Sequence, residues 1–357
     1  MTANYFRATY ANPRWNFIPN LNDFEEINCE KKLCIGKPPI ISYPVHPSHL
    51  SIVTACENHE AWLYSNYIQI ACPPEFPQET NKVIDFFNYD TNAPFHNYSP
   101  YAIEMKENGF LIEKDIVVAI IQFIENGYYI KIYLDDYFIP FRKRVFHQNH
   151  TPHELFLYGY DSDLMIFHVL GYDEKSGFIE AQITFNEFKE AFMSANRLIR
   201  VDREEYHWMQ YIYLYAPQNA DLAFDLKQVV SLLDAYLNST SFQEMRNVYE
   251  ALKEFYNYQL QFHDFDIRPF YLLWEHKKVM LDRIEYISKN IFKREVEYIV
   301  DAKDLQRDFL KLRNVVLKGN LLKKHMKNKL FCSMLDSYVR KEIVILNRLL
   351  HDLYVFL

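Results

Sequence analysis

Residues 127–178 read GYYIKIYLDDYFIPFRKRVFHQNHTPHELFLYGYDSDLMIFHVLGYDEKSGF, and the fold turns on how this run divides. Residues 128–134 alternate in the manner of a half-buried strand. Residues 153–160 and 164–171 are near-continuous apolar runs joined by the polar turn Asp161-Ser162-Asp163, which is a hairpin signal. His153 opens the middle strand, and Asp173 stands just past the end of the next one. A hairpin brings two such positions together. A base on one strand with an orienting carboxylate on its neighbour is half of a nucleophilic triad.

Working outward, residues 113–126 predict an amphipathic helix with Ile116, Ile120, Phe123 and Ile124 inward, closed by Gly127 as its C-terminal cap. Thr184-Phe185-Asn186-Glu187 is a capping box that opens a helix to about Ala195. Residues 206–215 return to strand. Upstream, residues 1–43 are rich in Asn, Pro and charge, and Pro38, Pro39 and Pro44 oppose a helix there. Residues 48–57 predict a short helix capped by Ser48, with Leu50, Val53 and Cys56 on one face. Residues 61–72 read as extended and aromatic. The Pro- and Asn-rich stretch 73–100 predicts no regular element.

The composition changes at Ala216-Pro217, after which the spacing is helical throughout. Helices are expected over 221–237, from the capping box Ser241-Phe242-Gln243-Glu244, from Pro269 through Ile287, over 295–322 and over 332–356. Leu305, Phe309, Leu312 and Val316 mark the apolar stripe of one of them. The expected class is α+β: a domain over 1–216 built on a central antiparallel sheet, then an all-α bundle or cap over 217–357.

The totals exclude several functions. At 357 residues and 49% apolar, the chain has enough to bury a sizeable core, and disorder is excluded. Its 7 glycines form neither GxGxxG nor GxxxxGK[ST], which argues against a nucleotide-binding loop. A formal charge of −8 argues against nucleic-acid binding. Cys29, Cys34, Cys56, Cys72 and Cys332 are odd in number and form no CxxC, as expected of free thiols in a reducing compartment. The N-terminus has no basic-then-apolar pattern, and the longest apolar run, 116–121, is too short to span a bilayer. The expectation is a cytoplasmic protein with no membrane partner.

The order of helix, strand, Asp136-Tyr137-x-x-Pro140, His153, Gly159-Tyr160-Asp161 and Asp173 before a Gly turn resembles the papain-like cysteine-protease fold. Within it, the run is nearest to the bacteriocin-processing (C39-like) peptidases and to the N-terminal domain of butirosin biosynthesis protein H. The resemblance covers residues 109–195 well and the first hundred poorly. It implies His153 as base, Asp173 as its orienter, and a nucleophile at the N-terminus of an earlier helix, where the dipole favours an anion. That helix is the one at Ser48, and its head reads His46-Pro47-Ser48-His49, with no cysteine. Ser48 is the candidate there, either as a nucleophile activated by His153 or as a plain cap. Cys34 takes the role only if the helix begins earlier. Cys56 lies near the wrong end of the dipole and reads as a small core residue.

His147, His150 and His153 recur every third residue, with His168 on the next strand. No carboxylate or thiol completes a familiar zinc spacing, so neither metal nor cofactor is expected. The resemblance implies acyl or amide transfer from a carrier-protein thioester to a small-molecule amine, in the making of a peptide-like natural product. The implied partner is an acyl or peptidyl carrier protein. The alternative is a non-catalytic scaffold or binding protein of the same fold. The basic run 318–329 reads as a solvated face or as a contact for an acidic partner.

Overall fold

The apolar runs of residues 128–172 become three adjacent strands of an antiparallel sheet. The computed structural model describes residues 28–77, 84–88, 93–94, 103–108, 116–175, 177–201, 209, 212–217, 222–238, 247–262 and 265–357. Among these the first half runs β1 (Glu30–Lys32), α1 (Val45–Val53), α2 (His59–Asn66), β2 (Ile70–Ala71), β3 (Asp85–Asn88), β4 (Ala93–Pro94), β5 (Ile103–Asn108), α3 (Ile116–Glu125) and β6 (Tyr129–Asp135). There follow β7 (Pro152–Asp161), β8 (Ile166–Tyr172), β9 (Phe178–Thr184), α4 (Phe185–Val201) and β10 (Ile212–Pro217). The rest is helical: α5 (Leu226–Leu237), α6 (Val248–Gln259), α7 (Arg268–Ile287), α8 (Ile299–Leu322) and α9 (Asn328–Leu353). The class is α+β.

The chain divides into two compact units. One comprises residues 1–36, 51–55 and 100–220; the other 37–50, 56–99 and 221–357. The division at residue 220 lies close to the composition change at Ala216-Pro217. Residues 37–50 and 56–99, expected in the first domain, instead cluster with the helices.

In the sheet unit the strand order is β5-β10-β6-β7-β8-β9, with β1 pairing alongside β7. The hairpin β7–β8 places Phe156 opposite Leu170 and Asp161 opposite Ile166, with a bulge between Leu157 and Gly159. Asp161 Oδ1 accepts the Leu164 amide at 2.8 Å, an Asx turn that closes the hairpin. Gly159 is needed where β1 crosses, because a Cβ there would lie 2.7 Å from the Lys31 carbonyl oxygen.

Helices α3 and α4 cover one face of this sheet. Ile116, Ile120, Phe123 and Ile124 are buried against Ile130, Ile132, Leu134 and Val169, and Phe188 and Ala191 of α4 join them. Gly127, at φ +83°, ends α3 in the left-handed conformation that glycine adopts freely. The capping box forms at the start of α4: Thr184 Oγ1 accepts the Glu187 amide at 3.1 Å, and Glu187 Oε2 accepts the Thr184 amide at 2.7 Å.

The helical unit departs from the sequence reading at residues 61–72, which form α2 and β2 rather than one extended segment. The reason is burial on every side. Residues Ala61 to Asn66 are all buried, so no 3.6-residue alternation marks the helix. Its polar side chains turn back on its own backbone: Ser65 Oγ donates to Ala61 O and Asn66 Nδ2 to Trp62 O. Its C-terminal carbonyls are met by Arg283 of α7, whose Nε donates to Tyr64 O and whose Nη2 donates to Tyr67 O, both at 2.7 Å. Burial pushes the Arg283 pKa down to about 9, still far enough above neutral for the cation to persist.

Pro269 occupies the first turn of α7. The start of α6 is capped by Asn247, whose side chain accepts the Tyr249 and Glu250 amides. The expected box at Ser241–Glu244 lies outside the described residues. Every described element after residue 220 is a helix, and no helix among the described residues is long and apolar enough to cross a membrane.

Glu275 of α7 ties residues 41 and 42 to the helices by accepting the Ile41 amide at 2.7 Å and the Ser42 amide at 3.0 Å. Burial raises its pKa to about 7, against the opposing pull of those amides. The folded chain therefore binds a proton that the unfolded chain has lost between about pH 4.5 and 7. Stability should fall across that window by about 3 kcal/mol from this group. Urea titrations of the native chain and Glu275→Gln at pH 5 and pH 7.5 should show the difference between the two proteins changing over the window. A constant difference would sink the assignment.

Candidate functional site

At the end of β6 the sequence Leu134-Asp135-Asp136-Tyr137 turns sharply, and the two aspartates point to different partners. Asp135 is fully buried. Its Oδ1 accepts the amides of Tyr137 (3.1 Å) and Thr151 (3.0 Å), which fixes both ends of the loop 136–151. Its Oδ2 accepts from Ser194 Oγ of α4 and from His150 Nδ1, each at 2.6 Å. Burial pushes the Asp135 carboxyl upward, but these hydrogen bonds outweigh it and hold the pKa below its ordinary value.

An ionised carboxylate only accepts, so His150 Nδ1 carries a proton, and in the neutral ring Nε2 keeps its lone pair. The ring is stacked on Tyr137, with centroids 4.2 Å apart and planes 18° apart. Its side chain is 51% exposed while its aspartate is 0% exposed. Among the described residues nothing bonds Nε2. A buried carboxylate that fixes the tautomer of a half-exposed imidazole is the arrangement of a general base and its orienter.

Asp136 faces the other way. Arg142 Nη1 donates to Asp136 Oδ2 at 2.9 Å and to His153 Nδ1 at 2.8 Å, and Arg142 Nη2 donates to Glu154 O at 2.8 Å. Burial raises the Asp136 pKa, with Arg142 opposing. His153 Nδ1 also lies 3.3 Å from Glu154 O. A guanidinium cannot accept and is nearer, so Nδ1 is the acceptor and the His153 proton sits on Nε2. His153 therefore offers a donor where a base needs a lone pair.

The expected pairing of His153 with Asp173 is corrected on this point. No direct hydrogen bond joins them among the described residues. The carboxylate of Asp173 is spent on its own turn, where Oδ1 accepts the Lys175 amide at 2.9 Å and the Gly177 amide at 2.8 Å. The imidazole of His153 is held by Arg142. The strand placement was legible, but the competing partners, Arg142 for His153 and the amides of Lys175 and Gly177 for Asp173, were not.

Ser48 also differs from its reading as a cap. The helix begins at Val45, so Ser48 lies inside its first turn, and its hydroxyl donates to Pro44 O at 3.1 Å. Ser48 and His153 belong to different units. Beside Ser48, His46 Nε2 meets Asp85 Oδ1 at 2.7 Å in a buried pair. Burial raises the pKa of Cys56. Cys34 is exposed and lines an open groove of about 630 Å³ in the sheet unit, together with Lys32, Tyr158, His168 and Glu180. Burial lowers the His168 pKa, so its ring is neutral near pH 7. Among the described residues no three His, Cys, Asp or Glu side chains are placed to share a metal ion.

The residue that sequence reasoning passed over is His150. Its signal was its position in the every-third-residue histidine series and the doubled aspartate at 135–136. Nothing in the spacing said which aspartate met which histidine. No family model matches the chain, and no curated protein matches it.

Nitrogen-15 spectra of the histidine rings test these assignments. His150 is expected as the Nδ1–H tautomer and His153 as the Nε2–H tautomer at neutral pH, and the reverse pattern would overturn the choice of base.

Proposed function

We propose that the protein transfers an acyl group from a thioester to an amine, with His150 as general base and Asp135 as its orienter. The observation that carries this reading is the buried Asp135 carboxylate bonded to Nδ1 of a half-exposed imidazole whose Nε2 is open. The papain-like resemblance of residues 109–195 supplies the reaction class, and the carrier-protein thioester and the place in natural-product biosynthesis come with it.

In this scheme the amine nitrogen attacks the thioester carbonyl carbon, forming the C–N bond. His150 Nε2 takes the proton that the amine sheds. The tetrahedral intermediate collapses with cleavage of the C–S bond, and the imidazolium returns the proton to the departing thiolate. Asp135 stays ionised throughout and holds the ring in place. Direct attack needs no covalent enzyme intermediate.

A second reading runs through Cys34, favoured by the exposure of its thiol in the groove that also takes neutral His168. Cys34 would then carry the acyl group as a thioester. A non-catalytic binding role is the third outcome. It draws on the two nominated residues, His153 and Asp173, each being held by other partners.

One experiment separates the three. The chain is incubated with an acyl-thioester, with and without a primary amine, and both protein and products are followed by mass spectrometry. Amide without a protein adduct fits direct transfer by His150. An adduct lost in Cys34→Ser fits the thiol route. Neither amide nor adduct leaves the binding role.

A further inference from the structure

The turn between α8 and α9 carries a concentration of positive charge that the fold itself does not use. From Phe309 to Leu335 the chain has no aspartate or glutamate, although the whole protein carries a net −8. Lys318, Lys323, Lys324, Lys327 and Lys329 stand exposed around the turn. The side chains of four of them, Lys318, Lys324, Lys327 and Lys329, make no hydrogen bond or ion pair among the described residues. Asp266 follows Phe265, whose ring is stacked on His325 of the turn. Asp266 is already held by Arg268 at 2.7–3.0 Å.

Helix electrostatics explains only part of this. Lys323 is the C-cap of α8, where a cation is favourable against the helix dipole. Lys327 and Lys329 lie at the N-terminal end of α9, whose first turn holds no acid. There a cation faces the positive end of the dipole and weakens the helix.

The same turn exposes leucines. Leu321 is 77% exposed, Leu322 62% and Leu330 54%, and Leu317 continues the α8 stripe one turn back. Lysines depress ordinary protein–protein interfaces, where aromatics, methionine and arginine are enriched. Exposed leucines ringed by lysines match the chemistry of an anionic bilayer surface, where apolar side chains enter the headgroup boundary and ammonium groups meet lipid phosphates and carboxylates.

We infer that the α8–α9 turn docks the protein reversibly on anionic membrane surfaces, with Leu321, Leu322 and Leu330 entering the interface and the surrounding lysines neutralising lipid headgroups. This stands apart from the acyl-transfer reading and does not depend on it. It replaces the expectation of no membrane partner with a peripheral one.

The test uses the full chain and sedimentation with vesicles of phosphatidylcholine alone or mixed with phosphatidylserine, at low and high salt. Binding is expected only with phosphatidylserine and at low salt. Reversing Lys324, Lys327 and Lys329 to glutamate should weaken it about tenfold or more. Leu321→Ser with Leu322→Ser should weaken it with the charge unchanged, and circular dichroism checks that both variants fold. Equal binding to both vesicle types, or unchanged binding by either variant, overturns the proposal. So does capture by an acidic polypeptide such as polyglutamate with no binding to vesicles, which would assign the surface to a protein partner.

Discussion

Replacing His150 with alanine is expected to lower amide formation from an acyl-thioester by about 10²–10⁴-fold, the range a positioned general base supplies. The side chain is half exposed, and Ser194 and two loop amides still hold Asp135 once His150 is gone, so the loss of stability should be smaller than that of Asp135→Asn. Asp135→Asn should lower the rate as well, because an amide can present either a donor or an acceptor to Nδ1 and no longer selects the tautomer. It should also destabilise the chain, since Asp135 holds Ser194 and two loop amides in a fully buried place. His153→Ala should have the smaller catalytic effect. It removes the acceptor of Arg142 Nη1, while Asp136 still holds that guanidinium. Thiol alkylation should leave the rate largely intact. A loss larger in His153→Ala than in His150→Ala, measured on the same thioester, would return the base to His153.

Much of the sheet unit was legible because its strands and helices obey local rules. The alternation of residues 128–134, the polar turn at 161–163, Gly127 after α3 and the Thr184–Glu187 box each report a backbone event within a few residues of itself. The candidate site was legible only as a neighbourhood. Asp135, Asp136, His150 and His153 all lie in the run read as decisive. Their pairing depends on Arg142, which takes His153, and on Ser194, which reaches Asp135 from α4. Those partners come from packing, which no spacing rule encodes. Helix α2 was missed for a related reason: a helix buried all round has no polar face to give the period away. The assignment of residues 37–50 and 56–99 to the helical unit was hidden too, because it rests on long-range contacts such as Glu275 with the Ile41 and Ser42 amides.

In the helical unit, Lys277→Met is expected to cost about 3–5 kcal/mol, the penalty for leaving one member of a buried ion pair alone. Lys277 of α7 is 1% exposed by its side chain and Glu342 of α9 is 2% exposed, with Nζ 2.6 Å from Oε1. Around them Lys277 Nζ also donates to Tyr249 Oη of α6 (2.7 Å), to Tyr236 Oη of α5 (3.1 Å) and to His276 Nδ1 (3.0 Å). The Tyr249 hydroxyl donates in turn to Glu342 Oε2. His276 can accept at Nδ1 because its Nε2 donates to Ile68 O at 2.8 Å, and burial with the adjacent ammonium keeps the ring neutral. Four helices thus meet at one buried charge. Burial lowers the Lys277 pKa and Glu342 opposes that shift, so removing the carboxylate should also be costly. The pair itself need not stabilise the fold against an apolar substitute of similar volume. Lys277→Met combined with Glu342→Leu should therefore recover a large part of the loss; the Tyr236 and Tyr249 hydroxyls, 2.7 Å apart, can still bond each other, which leaves only one of them without an acceptor. Urea unfolding of the native chain, both single variants and the double variant completes the cycle. Strict additivity of the two single losses would mean that the ammonium and carboxylate do not act as a pair, and a Lys277→Met cost below about 1 kcal/mol would mean that the site is not dry.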